Sequence, residues 1–120
     1  MHAREWKCRV PITKSEGFLE YLYATGVSET AQTKGFLGAQ IFKRQVDGLV
    51  EFTLMTYWRD LECIKAFAGN DIGVARLYPE DDKFDLEPDL TVQHYEVIEH
   101  SFSNPSKGAS IESAVLGGTG

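Results

Sequence analysis

A chain of 120 residues, 42% of them hydrophobic, is the right size for one soluble globular domain whose core needs neither disulfides nor metal. Its formal net charge is −6 with both signs mixed along the sequence, which argues against nucleic acid or an anionic membrane as partner, since both select basic patches. No apolar run is long enough to span a bilayer, and no charged start leads into an apolar stretch, so the expectation is a cytoplasmic protein without a signal peptide.

Residues 5–13 alternate, with Trp6, Cys8, Val10 and Ile12 on one face, which is strand periodicity. Thr13 and Glu16 have capping-box spacing, and Phe18, Leu19, Leu22 and Tyr23 follow at helical spacing until Gly26, a natural stop. The polar run 28–35 reads as a connection. Two β-rich segments, 36–46 and 49–58, then flank Asp47-Gly48. That dipeptide suits a two-residue type I′ turn, in which both central residues need positive φ, and it predicts a hairpin.

Asp60 is placed to cap a second helix that carries Leu61, Ile64 and Phe67 and ends at Gly69. Asp71 reads as the cap of a further short helical piece through Leu77, closed by Pro79. Residues 80–89 form an acidic loop, six of ten being Asp or Glu, and 91–99 read as a last strand. Beyond His100 the sequence is Ser/Gly-rich without periodicity, so a domain of residues 1–100 is expected to carry a flexible tail, 101–120.

Strand, helix, strand, strand, helix, strand is the ferredoxin-like βαββαβ order of an α+β domain. Right-handed crossovers place both helices on one face of a four-stranded antiparallel sheet. On the second hairpin strand Val50, Phe52, Leu54, Thr56 and Trp58 suit the side under the helices. Glu51, Thr53, Met55 and Tyr57 face away, and a free face with Met55 and Tyr57 usually meets another surface. A homodimer with the two sheets face to face would cover it and protect the strand edges.

The runs G-F-L-G-A-Q-I-F-K-R (35–44) and E-F-T-L-M-T-Y-W-R-D (51–60) resemble the antibiotic biosynthesis monooxygenase (ABM) family of dimeric α/β barrels. So do I-K-A-F-A-G-N-D (64–71), Y-P-E-D (78–81) and H-Y-E-V (94–97). The resemblance implies a pocket between helices and sheet for a small aromatic or polyketide-like compound, and an oxygenase that works without metal, flavin or other cofactor. Such a protein supplies a dry cavity, a base and orientation. Haem-degrading relatives carry a tryptophan at the place of Trp58 and a haem-ligating histidine on the following helical segment. Here that segment is D-I-G-V-A-R-L-Y, without histidine, which counts against haem.

The candidate base is His94, with Glu96 two residues on and on the same face to orient it; the alternative is a strand histidine satisfied by its neighbours. Trp58, Phe52, Tyr78 and Arg76 are the candidate substrate-binding residues, although Trp58 suits a core position equally well. Tyr57 and Tyr95 fall on the opposite parity to Trp58 and His94. Arg44 and Arg76 could hold an anionic substrate, or simply be surface residues. A metal held by His94, Glu96 and the acidic loop is not expected. Cys8 and Cys63 show no motif spacing and read as buried free thiols, Cys63 without an obvious basic partner. The leading reading is a cofactor-independent monooxygenase. A non-oxidative isomerase, cyclase or dehydratase, and a dimeric small-molecule-binding or stress-related protein, are its competitors.

Overall fold

In a computed structural model, which describes residues 1–103 and 111–113, β1 (His2–Pro11) is the centre of an antiparallel sheet. β3 (Leu49–Trp58) pairs along its whole length, from His2 with Trp58 to Pro11 with Leu49. β2 (Phe36–Val46) lies outside β3, joined to it by Asp47 and Gly48 at φ 50° and 79°, the positive values that the turn requires. On the other side of β1 lie two short pieces. β4 (Glu87–Pro88) meets Cys8 and Arg9, and β5 (Gln93–Glu96) meets residues 2–5. The order is thus the predicted ferredoxin-like one, with the fourth strand broken in two.

The break has local causes. Asp89 is tied to β1 from both sides, its amide donating to Lys7 O (2.9 Å) and its carbonyl accepting from Trp6 Nε1 (2.8 Å). Residues 90–92 then leave β1 and pair with 73–75: Ala75 N donates to Leu90 O, Val92 N to Gly73 O, and Val74 bridges Thr91. This pairing also replaces the helix expected at Asp71–Leu77. Only a turn closes there, Val74 N to Asp71 O. The last strand is accordingly shorter than the predicted 91–99.

Helix α2 (Leu61–Ala68) follows its sequence signals. Asp60 Oδ1 accepts from Cys63 N (2.9 Å) as the N-cap, and Gly69 ends the helix at φ 90°. Helix α1 (Ser15–Leu22) does not. A 3-10 turn, Ile12–Lys14, precedes it, no side chain caps it, and Ser15 Oγ donates back to Ile12 O, so Thr13 and Glu16 form no capping box. Nor does Gly26 stop the helix. The chain continues as a π-helical segment, Tyr23–Glu29, and a 3-10 turn, Thr30–Gln32. Gly26 is buried inside that segment because it touches the sheet: a Cβ there would lie 2.8 Å from Leu54 Cδ2 and 3.1 Å from Leu22 Cδ1. Glycine serves here for close approach rather than for termination.

Phe18, Leu22, Val10, Cys8, Val50 and Phe52 form one core cluster between α1 and the sheet. Trp58, Cys63 and Ile64 form a second under α2. Both cysteines are buried and neither is in a disulfide. Glu51 is buried on the opposite face, where Arg44 Nε (2.8 Å) and Arg9 Nη1 (3.3 Å) hold its carboxylate. Of the predicted tail, β6 (Ser101–Ser103) and β7 (Ile111–Ser113) pair antiparallel; the rest of that expectation lies outside the described residues.

Candidate functional site

Between the sheet and its helical cover lies a cavity of about 50 Å³. Its floor is sheet: Arg4 and Trp6 on β1, Leu54 and Thr56 on β3. Strand parity puts these four on one face, as β1–β3 register shows with Arg4 opposite Thr56 and Trp6 opposite Leu54. Its roof is Phe18 and Leu22 of α1 with Thr25 and Gly26 of the π-helical segment. Such π-turns often sit at functional sites, because the wider turn displaces side chains that an α-helix would stack. Its outer wall comes from Phe67, Arg76 and Tyr78, the last two on the irregular segment after α2.

Of the candidate substrate-binding residues, Tyr78 and Arg76 line the cavity. Arg76 lies over the rings of Phe67 (4.7 Å) and Tyr78 (5.6 Å) and donates to Phe67 O (2.9 Å). Trp58 and Phe52 do not line it. Both are fully buried immediately behind its walls. Phe52 packs on Phe18, with ring centroids 5.5 Å apart. Trp58 packs on Phe36 and Phe67 and donates through Nε1 to Thr56 Oγ1 at 2.9 Å. That bond occupies an acceptor site on the Thr56 hydroxyl and leaves its proton available to the cavity.

His94 and Glu96 share the cavity's face of the sheet but do not reach the cavity itself, and no hydrogen bond joins them. Glu96 is exposed, opposite His2 in the register. His94 Nε2 instead lies 3.1 Å from Arg4 Nη1. Its pKa falls below the ordinary 6.5, first through burial and then through the charges of Arg4 and His2. The ring is a neutral acceptor near pH 7, one side chain removed from the cavity.

Arg4 lines the cavity and is not among the residues that the sequence singles out. It is 5% exposed, donates to Ile72 O (2.6 Å) and Val74 O (3.2 Å), and burial lowers its pKa to about 10. The signal was there: the parity that buries Cys8 and Val10 also buries Arg4, once the strand is carried back to His2. Arg44 belongs to the other face with Glu51, and Tyr57 and Tyr95 line a wider, more open hollow there of about 370 Å³. Cys63 does have a basic neighbour, since Arg59 Nη2 lies 3.3 Å from its sulfur. Among the described residues no group of His, Cys, Asp and Glu could hold a metal ion.

The family model for the antibiotic biosynthesis monooxygenase (ABM) domain matches residues 1–72, more than half of the chain. The chain belongs to the ABM family. No curated protein matches it in sequence. Among solved structures, a Deinococcus radiodurans protein described as a candidate antibiotic biosynthesis monooxygenase superposes with a TM-score of 0.58 at 16% identity, covering 82% of this chain and 94% of that one. A Bacillus cereus protein of the same description gives 0.55 at 18% identity, covering 85% and 97%. MhuD, a heme-degrader from Mycobacterium tuberculosis solved with two hemes in its active site, gives 0.52 at 22% identity, covering 82% and 96%. At these identities the likeness shows the ABM fold. It does not carry haem over to this ABM chain. Among the described residues the cavity is lined by no histidine, and the segment after α2 has none to ligate a haem iron. The residues present do not fit that group.

Proposed function

We propose that this ABM protein is a monooxygenase that oxidises a small hydroxylated aromatic compound in the helix-side cavity, drawing on no resident cofactor. The observation that supports this reading most directly is the cavity lining. Rings of Trp6, Phe18, Tyr21, Phe67 and Tyr78 line it together with a few polar groups, Arg4, Arg76 and three threonines. Oxidation of a phenol to a quinone by O₂ balances without a further reductant. One oxygen atom becomes the new carbonyl, and the other leaves as water with two hydrogens from the substrate. The substrate itself supplies the four electrons. The protein need only hold the phenolate, the electron-rich form, in a site that excludes bulk water.

In this reading His94 is the base. Neutral at pH 7, it takes up the phenolic proton at Nε2 once that atom gives up its hydrogen bond from Arg4, and the released Arg4 N–H, with Tyr78, holds the oxygen. Glu96 has no part in this relay, being exposed and unattached to the ring. Trp58 acts by setting the Thr56 hydroxyl, and Phe52 by backing Phe18. Ligand sites usually measure roughly 300–1,000 Å³, so the cavity must widen to admit a substrate. The wall able to yield is the stretch from Arg76 to Tyr78, which lies in neither helix nor ladder, whereas residues 73–75 are tied to 90–92.

The opposite sheet face is proposed to pair with a second copy of the chain. Phe42 is 49% exposed there, opposite Thr53 and on the face that carries Met55 and Tyr57. Light scattering should return twice the chain mass at micromolar concentration, and a strictly monomeric mass would remove the dimer.

Incubation with hydroxybenzoates and hydroxynaphthalenes in an oxygen electrode tests the reaction. The expected result is one O₂ consumed per quinone formed. Conversion without oxygen uptake would select the isomerase, cyclase or dehydratase alternative. Saturable binding without conversion would select the binding protein.

A further inference from the structure

We infer that the cavity is selective for an aromatic oxyanion, a carboxylate or phenolate on a flat ring, and that Arg4 is the residue that reads the charge. The inference takes this cavity as the substrate pocket proposed above and adds the chemical class of what enters it. It starts from an imbalance. Two guanidinium groups, Arg4 and Arg76, line the cavity, and no Asp or Glu lines it among the described residues. Buried cations in proteins are ordinarily paired. On the same sheet Arg9 and Arg44 are paired with Glu51, and Arg9 also with Asp89. Arg4 is far more buried than either and has no carboxylate partner.

What Arg4 does have are neutral acceptors that fix its direction. Two backbone carbonyls, Ile72 O and Val74 O, and His94 Nε2 take three of its N–H groups, and the Phe67 ring lies 5.8 Å from its guanidinium carbon. A guanidinium has five donors, so two remain for a ligand. The group is thus held in place before any ligand arrives, with its charge uncompensated. Burial already disfavours its charged form, bringing its pKa to about 10, and an oxyanion in the cavity would relieve that cost. A neutral ligand of the same shape would not. Arg76 is exposed and fixed over Phe67 and Tyr78, so it stands at the mouth, where a second cation draws an anion inward. The remaining lining is apolar or ring, with threonine hydroxyls, which suits the flat body of such a ligand.

The test is equilibrium binding to the full chain, without turnover, using matched pairs that differ in charge and hardly in shape: benzoate against benzamide, and 1-naphthoate against 1-naphthamide. Calorimetry should show each acid binding about tenfold or more tightly than its amide, an advantage of about 1.4 kcal/mol. Arg4→Met should bring the ratio close to one while the amide affinity changes little, Arg4→Lys should keep part of it, and Arg76→Met should lower it by a smaller factor. Because Arg4 also ties down the segment after α2, circular dichroism checks each variant. Should Arg4→Met fail to fold, the wild-type ratio with Arg4→Lys and Arg76→Met decides. Equal affinity for acid and amide in the wild type, an unchanged ratio in folded Arg4→Met, or no binding of either acid would overturn the inference. Oxygen plays no part in this measurement. An absence of oxygen uptake would therefore remove the proposed reaction and leave a positive binding result standing.

Discussion

Arg4 on β1 and His94 on β5 are register partners whose side chains meet at 3.1 Å, Nη1 to Nε2, on the sheet face that carries the cavity. A guanidinium has no acceptor, so the contact exists only while Nε2 is unprotonated and accepting, with the ring proton on Nδ1. Protonating His94 would set two cations against each other beside a third titratable neighbour, His2. The pair thus couples the protonation of one residue to the position of the other, and a pH dependence follows.

The folded protein holds the His94 proton less tightly than the unfolded chain does. Its contribution to stability is therefore complete above the ordinary imidazole value of 6.5 and is lost as pH falls through the lower folded value. Urea melts between pH 7.5 and 5 should show wild-type stability declining in that window, and His94→Gln should show a flatter profile. Identical profiles would mean that the ring is not held neutral by its surroundings.

As the proposed base, His94 should matter to rate more than to binding. His94→Ala is expected to lower kcat on an identified substrate about 100-fold or more, the usual scale of a lost general base, with KM changed much less. The rate of the wild type should hold its plateau below pH 6.5 before it falls, because the imidazole is depressed. Full turnover by His94→Ala would end the assignment.

Gly35 stands at φ 91°, and a Cβ there would come within 2.1 Å of Cys63 Sγ. Backbone strain and overlap act together at that point, so Gly35→Ala should cost about 3 kcal/mol or more in chemical denaturation. Combining it with Cys63→Gly should recover the part due to overlap and leave the part due to φ. If the double variant is no more stable than the single one, the sulfur contact is not the cause.

Glu51 accepts from Arg44 and Arg9 on the free sheet face, and the Arg44 hydrogen bond is the main reason its carboxyl lies below the usual 4.5. Arg44 is 68% exposed, so solvent screens much of that attraction and Glu51→Gln should cost only about 1 kcal/mol at pH 7. The wild-type advantage is present above pH 4.5 and lost as pH falls through the lower folded value. Thermal melts of the two proteins should therefore converge in acid.

The parts of this fold that were legible in the sequence are those with local causes. Asp47-Gly48 fixed β2 and β3 to the residue, and Asp60 with Gly69 bounded α2, because turn and cap chemistry act within four residues. The misreadings share a nonlocal cause. Gly26 is there for Leu54, 28 positions away in sequence, and residues 73–75 find strand partners at 90–92 instead of coiling after Asp71. The site divides in the same way. Tyr78 and Arg76 line the cavity, while Trp58 and Phe52 lie one layer behind its wall, a distinction that parity does not make. Arg4 went unseen because a buried charge at the start of a strand looks, in sequence, like a polar residue before it.

The central claim is that molecular oxygen enters the product in the helix-side cavity. Turnover of a hydroxyaromatic substrate under ¹⁸O₂, followed by mass spectrometry of product and water, tests it most directly. The account predicts one labelled oxygen atom in the quinone and one in water. That incorporation should be lost in a variant that fills the cavity, such as Thr25→Phe, with the fold checked by circular dichroism. An unlabelled product, or full labelling by the filled variant, would contradict it.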